Sequence, residues 1–519
     1  MSSSSNKNLK ARDSAKEKDI RLGNIIAAKA VADAVRTSLG PRGMDKMIQS
    51  DTGEVIITND GATILERMQV FHPTAKMLVG ISKSQDIEAG DGTTSVVVIA
   101  GAFLEAVLML LEKGVHPTII ADCFVKAEAK AKEILRDIAI PVDLNDRDSL
   151  IQAATISLSS KIVYQNADIL APMAVDSVLK VADLENNNVD LNDVRVVERL
   201  GGTVDDSEMV DGLVLNNSIW GKIKNVDNAK VMLIQFCLSA PKTDMDNTVV
   251  VSEYEQMDRI LKAERKYLLK LCKAIKKTGC NVLLIQKSIL RDAYNSLSMH
   301  FLAKLGIMVI KDVEREDVPF ICKTVGCQPV ADVTALSPDR LGHVGNVCSK
   351  SGCVVMTGCK SSQKSVSILL KGSNELMLGE AGRSLHDALC VVRSLVKERF
   401  MIHGGGGPEI ELSMRLGKWA NELEGMESFC IKAFANALEV IPRTLAENAG
   451  LHPVRITTQL RKLHNDGKIT AGINVKKGIV AELEGDVVQP LLVNLSAISL
   501  ASEVTRMILK IDDMVTVMR

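Results

Sequence analysis

Aromatic side chains are scarce in this chain: two Trp, four Tyr and nine Phe make up 3% of 519 residues. A surface that stacks bases or sugars is therefore not advertised. The apolar material comes from Ala, Val, Ile, Leu and 21 Met instead. Net charge is nearly absent as well: 63 basic against 64 acidic residues leave −1, which argues against a nucleic-acid partner held by bulk charge. The N-terminal stretch MSSSSNKNLKARDSAKEKDIR has no apolar h-region and reads as a disordered arm over residues 1–21 rather than a secretory signal. Asp13, Glu17 and Asp19 also break the acid-poor pattern of a transit peptide. The longest apolar stretch, Val96 to Leu111, is interrupted by Glu105 and falls short of the ~20 residues a membrane span needs. No membrane and no nucleic acid are expected. The eleven cysteines include no CxxC pair, and His343 is a lone imidazole near the pairs Cys322/Cys327, Cys348/Cys353 and Cys353/Cys359. Free, small buried thiols in a reducing compartment are the reading, with no zinc site. No short repeat period is visible, so a solenoid is not expected.

What is present is ordinary globular material, 46% hydrophobic and 24% charged, long enough for about two to four domains. Residues 22 to 38 repeat small apolar groups at helical spacing and stop at Leu39-Gly40-Pro41, a clean helix end. A β-branched strand, Glu54 to Thr58, is followed by Asn59-Asp60-Gly61, which reads as a turn. Helices are expected over 62–70 and 74–89, and helix follows helix to about residue 140. The middle reads differently. Lys230 to Cys237, Asn281 to Ile285 and Ile307 to Ile310 are expected strands, with a helix from the capping box Ser252…Glu255 through Lys277 and another over 288–305. This is a βαβ pattern. After Ser367–Leu370, residues 375–401 form one long helical pattern, broken by His403 and four glycines. Helices resume from Pro408, which suits a first helical position. An α/β region thus sits between two α-rich ends.

The candidate chemistry begins at Gly90-Asp91-Gly92-Thr93-Thr94-Ser95, which opens the apolar helix from Val96. A helix N-terminus offers unpaired N–H groups and the positive end of the dipole. The glycines allow close approach, the hydroxyls add donors, and Asp91 is a hard oxygen ligand for Mg²⁺. No Lys follows Gly92, so this is not a Walker loop. Taken alone, the stretch fits a tight turn with an N-cap as well as a phosphate cradle. Gly404 to Gly407 are harder to dismiss, since each glycine costs roughly 0.5–1 kcal/mol relative to alanine. Either backbone packs tightly there or a ligand lies against it. Asp387 sits mid-helix among apolar neighbours, where a solvated helix face is the plainer account. Together, Gly-containing turns bearing carboxylates at the ends of apolar elements are what a nucleoside triphosphate site needs.

Leu39-Gly-Pro-Arg-Gly-Met-Asp-Lys46, Thr58-Asn-Asp-Gly-Ala-Thr-Ile-Leu65 and Gly90–Ser95 resemble the signature blocks of group II chaperonins. So do Ser384-Leu-His-Asp-Ala-Leu389, Gly404–Gly406 with Pro408-Glu409, and Leu445-Ala-Glu-Asn-Ala-Gly450. The likeness runs through the chain in order and spacing. Gln235–Asp246 and Gly279–Asp292 resemble one subunit type of the eukaryotic cytosolic branch. The resemblance implies a multidomain α plus α/β chaperonin fold in which the chain passes out and back. A mainly α-helical equatorial ATPase domain would combine residues 22–148 and 403–519. A small intermediate hinge domain would combine 149–214 and 367–402, and an α/β apical substrate-binding domain, 215–366, would carry a lid protrusion near 242–278.

By position, the resemblance implies ATP or ADP as ligand with Mg²⁺, and K⁺ as a further ion. Asp91 would hold the metal. Gly92, Thr93, Thr94 and Ser95 would surround the phosphates, with Ser38, Leu39, Gly40 and Pro41 against the nucleotide. Ser160 and Lys161 would sense the γ-phosphate, Gly405, Gly472 and Gln489 would lie by sugar and base, and Asp387 with Asp60 would orient the attacking water. Departures from the family pattern fall at Gly382, His403, Gly407 and Gln489. The implied partners are paralogous subunits in a cytoplasmic hetero-oligomeric double ring with eight positions per ring, and non-native clients such as actin and tubulin. The alternative is a ring subunit that binds nucleotide weakly and serves mainly as a structural and substrate-contact element.

Overall fold

The computed structural model describes residues 20–49, 53, 55–183, 185–221, 223–240, 250–289, 291–350, 352–359, 364–483 and 487–513. The expected arm therefore lies outside the described residues up to residue 19, as does the 242–249 part of the expected lid segment. The chain divides into two compact units: Met1–Val175, Leu184–Asn188 and Gly379–Arg519 form the first, and Asp176–Asp183 with Val189–Leu378 the second.

The first unit is mainly helical and is built around helix Thr93–Glu112. Val96, Val97, Ile99, Phe103, Leu104 and Val107 bury on several sides of it, so the helix is apolar all round rather than striped. Helices Pro73–Glu88, Met426–Leu438 and Leu491–Leu509 pack against it. The few aromatics are concentrated here. Phe103 stacks on Phe434 with ring centroids 4.4 Å apart, and Phe124 meets both edge-on at 5.7 and 5.2 Å. Such pairs add about 0.5–1.5 kcal/mol beyond the area they bury. Helices Thr93–Glu112 and Leu491–Leu509 are long and apolar enough to cross a membrane by composition, but their apolar windows are 61% and 72% buried inside this core. Three small sheets complete the unit: hairpin Lys46–Gln49 with Val55–Thr58, the triple Val488–Pro490, Phe400–His403 and Ile140–Pro141, and hairpin Ala471–Asn474 with Ile479–Glu482.

The second unit carries the βαβ pattern expected from the middle of the sequence. Strands Asn225–Ile234, Val282–Gln286 and Met308–Val313 are parallel neighbours in a seven-stranded sheet. Helices Tyr254–Lys277 and Ser296–Lys304 are the crossovers. The strands are buried on both faces, against Val318, Ile321 and Val325 on one and Leu271, Ile275 and Leu302 on the other. That explains their near-continuous apolar runs. Val194–Leu200, Val366–Gly372 and Glu208–Val210 form a separate three-stranded sheet.

Three local expectations are corrected. The charged helix starts at Tyr254 with Glu253 as its N-cap and no side-chain cap bond, so Ser252 and Glu255 make no capping box. The helix expected from residue 288 begins only at Ser296, where Asn295 and Ser298 form the box instead. Asn59-Asp60-Gly61 is not a hairpin turn, because Asp60 caps helix Gly61–Arg67. The eleven thiols are free, as expected.

Candidate nucleotide site

A cavity of about 890 Å³ opens in the first unit and gathers residues that lie far apart in sequence. That is the size range of small-molecule sites. Its walls include Ser38–Pro41, Asn59 and Asp60, Asp91–Ser95, Ser159–Lys161, Asp387, Gly405 and Gly406, and Val488–Pro490.

Each wall has a local cause. The loop after helix 20–36 is held by Asn448, whose Nδ2 donates to the carbonyls of Arg36 (3.1 Å) and Leu39 (2.8 Å). Asp60 is fixed by capping: its carboxylate accepts from Thr63 N at 3.0 Å, Thr63 Oγ1 at 2.7 Å and Thr93 Oγ1 at 2.9 Å. The last bond ties one helix start to another. At Gly92, φ is +75°, and a Cβ would come 2.8 Å from Val493 Cγ1. The position thus needs glycine for conformation and for space. Gly92 is also the N-cap of helix Thr93–Glu112 and supplies no side-chain cap. The first-turn N–H groups are left for another acceptor, which is the arrangement that receives a phosphate. Gly92 N donates to Asp91 Oδ1 at 2.7 Å, and Gln85 Nε2 donates to the Asp91 carbonyl at 2.9 Å. On the opposite wall Gly405, at φ +69°, accepts from Ile473 N at 2.9 Å and packs so closely on that strand that a Cβ would lie 3.0 Å from Ile473 O.

Charge is concentrated at the centre. Lys161 Nζ pairs with Asp387 Oδ2 at 2.7 Å, and the two residues are only 9% and 7% exposed. Burial opposes the lysine's charge, but Asp387 and Asp60 outweigh it and hold the ammonium protonated well above its ordinary range. Burial also lifts Asp387, against the pull of Lys161 and with the repulsion of Asp60 and Asp91 added, so its carboxyl sits well above the usual carboxylate range. Asp91 is raised for the same first reason. Asp60 feels burial too, yet Lys161, Thr63 and Thr93 together bring it below its ordinary value. With all three acids ionised the cluster carries −3 + 1 = −2, an excess a divalent cation would neutralise. Among the described residues no group of three His, Cys, Asp or Glu side chains forms a metal cage. One carboxylate beside phosphate oxygens and waters is the usual holder of Mg²⁺, and Asp91 fits that role.

Of the residues that the resemblance assigns to nucleotide, metal and water, all line the cavity except Gly472. Gly472 packs behind the wall, where a Cβ would meet the Gly404 carbonyl at 2.9 Å, and its neighbours Ile473, Asn474 and Val475 face the space. The sequence reading missed Glu409 and Asn494 as wall residues. Asn494 carried a signal: it is a buried amide in the first turn of the apolar helix Leu491–Leu509, whose other buried polar residues are the hydroxyls Ser496, Ser502 and Thr505.

The fold is that of a chaperonin. The TCP-1/cpn60 chaperonin family matches residues 31–519, and this chain belongs to that family. It is 58% identical over 512 residues to T-complex protein 1 subunit delta of Homo sapiens, covering 97% of this chain and 95% of that one. The subunit delta of Schizosaccharomyces pombe is 57% identical over 511 residues, with 97% of each chain covered. That of Arabidopsis thaliana is 58% identical over 514 residues, covering 97% of this chain and 96% of the relative. The expected fold class and the likeness to a cytosolic-branch subunit type both hold, and the type is delta.

Proposed function

We propose that this chain is an ATP-hydrolysing subunit of a cytoplasmic hetero-oligomeric double-ring chaperonin that encloses and folds non-native proteins, actin and tubulin among them. The observation that carries the reading is the uncapped N-terminus at Gly92, flanked by Asp91 and facing the buried Lys161–Asp387 pair. Bound Mg²⁺–ATP would supply the divalent charge and the phosphoryl group to be transferred. The first-turn N–H groups and hydroxyls of Thr93, Thr94 and Ser95 would hold the phosphates, and Asp91 the metal. Lys161 would place its charge against the terminal phosphate. Asp387 suits the proton-accepting role: its carboxyl is held near working pH by burial, where a general base is most effective. Asp60, already below its ordinary range, would stay ionised and orient the water through its fixed carboxylate.

In this reading residues 22–148 with 403–519 form the equatorial part, 149–214 with 367–402 the hinge and 215–366 the apical part, with paralogous subunits as ring partners. The exposed Tyr254, Met257 and Leu261 on helix Tyr254–Lys277 fit a lid or client contact. The test is Asp387→Ala in the assembled particle. Single-turnover phosphate release at this subunit should fall by roughly 10²-fold or more, the worth of a positioned base. Unchanged turnover and ring closure would leave the weak-binding structural subunit as the better account.

A further inference from the structure

A buried chain of hydrogen bonds runs along one wall of the cavity and ends at Gln489. Glu409, in the first turn of helix Gly407–Glu422, is 7% exposed, lines the cavity and has no protein partner for Oε2. Its Oε1 accepts from Asn494 Nδ2 at 3.2 Å, and Asn494 Oδ1 accepts from Gln489 Nε2 at 2.8 Å. The polarity of this chain is dictated from one end. An ionised carboxylate only accepts, so Asn494 must turn its NH₂ toward Glu409 and its oxygen toward Gln489. That oxygen also only accepts, so Gln489 must give its NH₂. What remains is the Gln489 carbonyl, Oε1, beside the glycine run and 3.7 Å from where a Cβ on Gly404 would sit.

We infer that Glu409, acting through Asn494, is a positioning residue that makes Gln489 an obligate hydrogen-bond acceptor for a ribose hydroxyl of the bound nucleotide. The inference rests on the nucleotide reading of the cavity. With a phosphate chain at Thr93–Ser95, the remainder of a nucleoside triphosphate is sugar and base, and the sugar's hydroxyls are its donors. A glutamine amide alone can offer either its oxygen or its nitrogen. A buried carboxylate two links away removes that choice, so a neutral side chain behaves toward the sugar as an acid would.

The test compares equilibrium binding of Mg²⁺–ATP with that of its 2′-deoxy and 3′-deoxy analogues to the full-length chain at pH 8. Wild type should prefer ATP over at least one deoxy analogue by roughly 3- to 10-fold, the worth of one hydrogen bond. Glu409→Gln should bind ATP and that analogue almost equally, since the chain can then run in either direction. The double variant Glu409→Gln/Gln489→Glu moves the carboxylate to the other end and should restore the preference, which a merely structural role for Glu409 would not do. Full preference in Glu409→Gln, or no recovery in the double variant, would overturn the inference. If wild type binds ATP, loses it in Asp91→Ala and yet shows no sugar preference, this inference alone falls. If wild type binds none of the nucleotides, the nucleotide reading falls and takes the inference with it.

Discussion

Lys161→Met should destabilise the first unit far more than Asp387→Asn, although both break the same 2.7 Å ion pair. The asymmetry follows from the charge count around that pair. Asp60, Asp91 and Asp387 face a single cation, so the lysine balances one acid and is shared by the other two. Removing Lys161 leaves three buried acids with no lysine partner; Asp60, the one held ionised, becomes an uncompensated buried charge, which costs about 3–5 kcal/mol. Removing the charge of Asp387 leaves Lys161 facing Asp60 and Asp91. It also eliminates a carboxyl that burial penalises, so the cost should stay near the ~1 kcal/mol of a lost hydrogen bond. Urea unfolding of the full-length chain in EDTA at pH 7.5, followed by far-UV circular dichroism, reads both values. Lowering the pH to 5 should shrink the Lys161→Met deficit, because the acids left without a cation can then take up protons. Equal losses for the two variants, or a larger loss for Asp387→Asn, would refute the shared-cation argument.

Other consequences are equally direct. Gly92→Ala forces a left-handed conformation on an L-residue and drives its Cβ to 2.8 Å from Val493. It should cost about 1–2 kcal/mol in conformation alone and weaken ATP binding by at least tenfold; calorimetry checks the affinity, and wild-type affinity would remove the cradle from the account. Phe434→Ala takes out the ring that stacks on Phe103 and meets Phe124, and should lower stability by about 3–5 kcal/mol in the same urea assay. Burial raises the Glu409 carboxyl from 4.5 to about 7, so the folded chain keeps a proton there that the unfolded chain has released. Stability contributed by this group therefore falls as pH rises from about 4.5 to 7. Glu409→Gln should flatten the wild-type stability profile in that window, and parallel profiles would contradict the assignment.

The sequence revealed some of this architecture well and some hardly at all, for physical reasons. Strands Val282–Gln286 and Met308–Val313 were legible because their apolar runs, Val282–Ile285 and Met308–Ile310, are buried on both faces. Gly90–Ser95 was legible as a pair of alternatives: two glycines and three hydroxyls before an apolar helix fit a plain cap and an anion site alike. A glycine at the N-cap supplies no side-chain acceptor, so the first turn lacks a side-chain cap, as an anion site there requires. Asp60 was misread as part of a hairpin turn because Asn-Asp-Gly favours turns and N-caps by the same side-chain hydrogen bonding. Asp387 was the hardest. Mid-helix carboxylates usually face water, and nothing local signals that Lys161, more than two hundred residues earlier, buries against it. Gly472 was expected beside the base but does not line the cavity, where the next three residues, Ile473, Asn474 and Val475, do. The start of helix Tyr254–Lys277 lies one residue later than expected because Glu253, not Ser252, is the N-cap, which leaves the pattern but not the boundary intact.

The central claim is that the cavity of the first unit holds a metal-bound nucleoside triphosphate through Asp91 and the helix start behind it. Titration of the full-length chain with ATP, with and without Mg²⁺, beside the Asp91→Ala variant tests it most directly. Saturable binding that needs Mg²⁺ and is lost in Asp91→Ala is the predicted result. Binding that ignores both the metal and the substitution, or no binding by the wild-type chain, would contradict it.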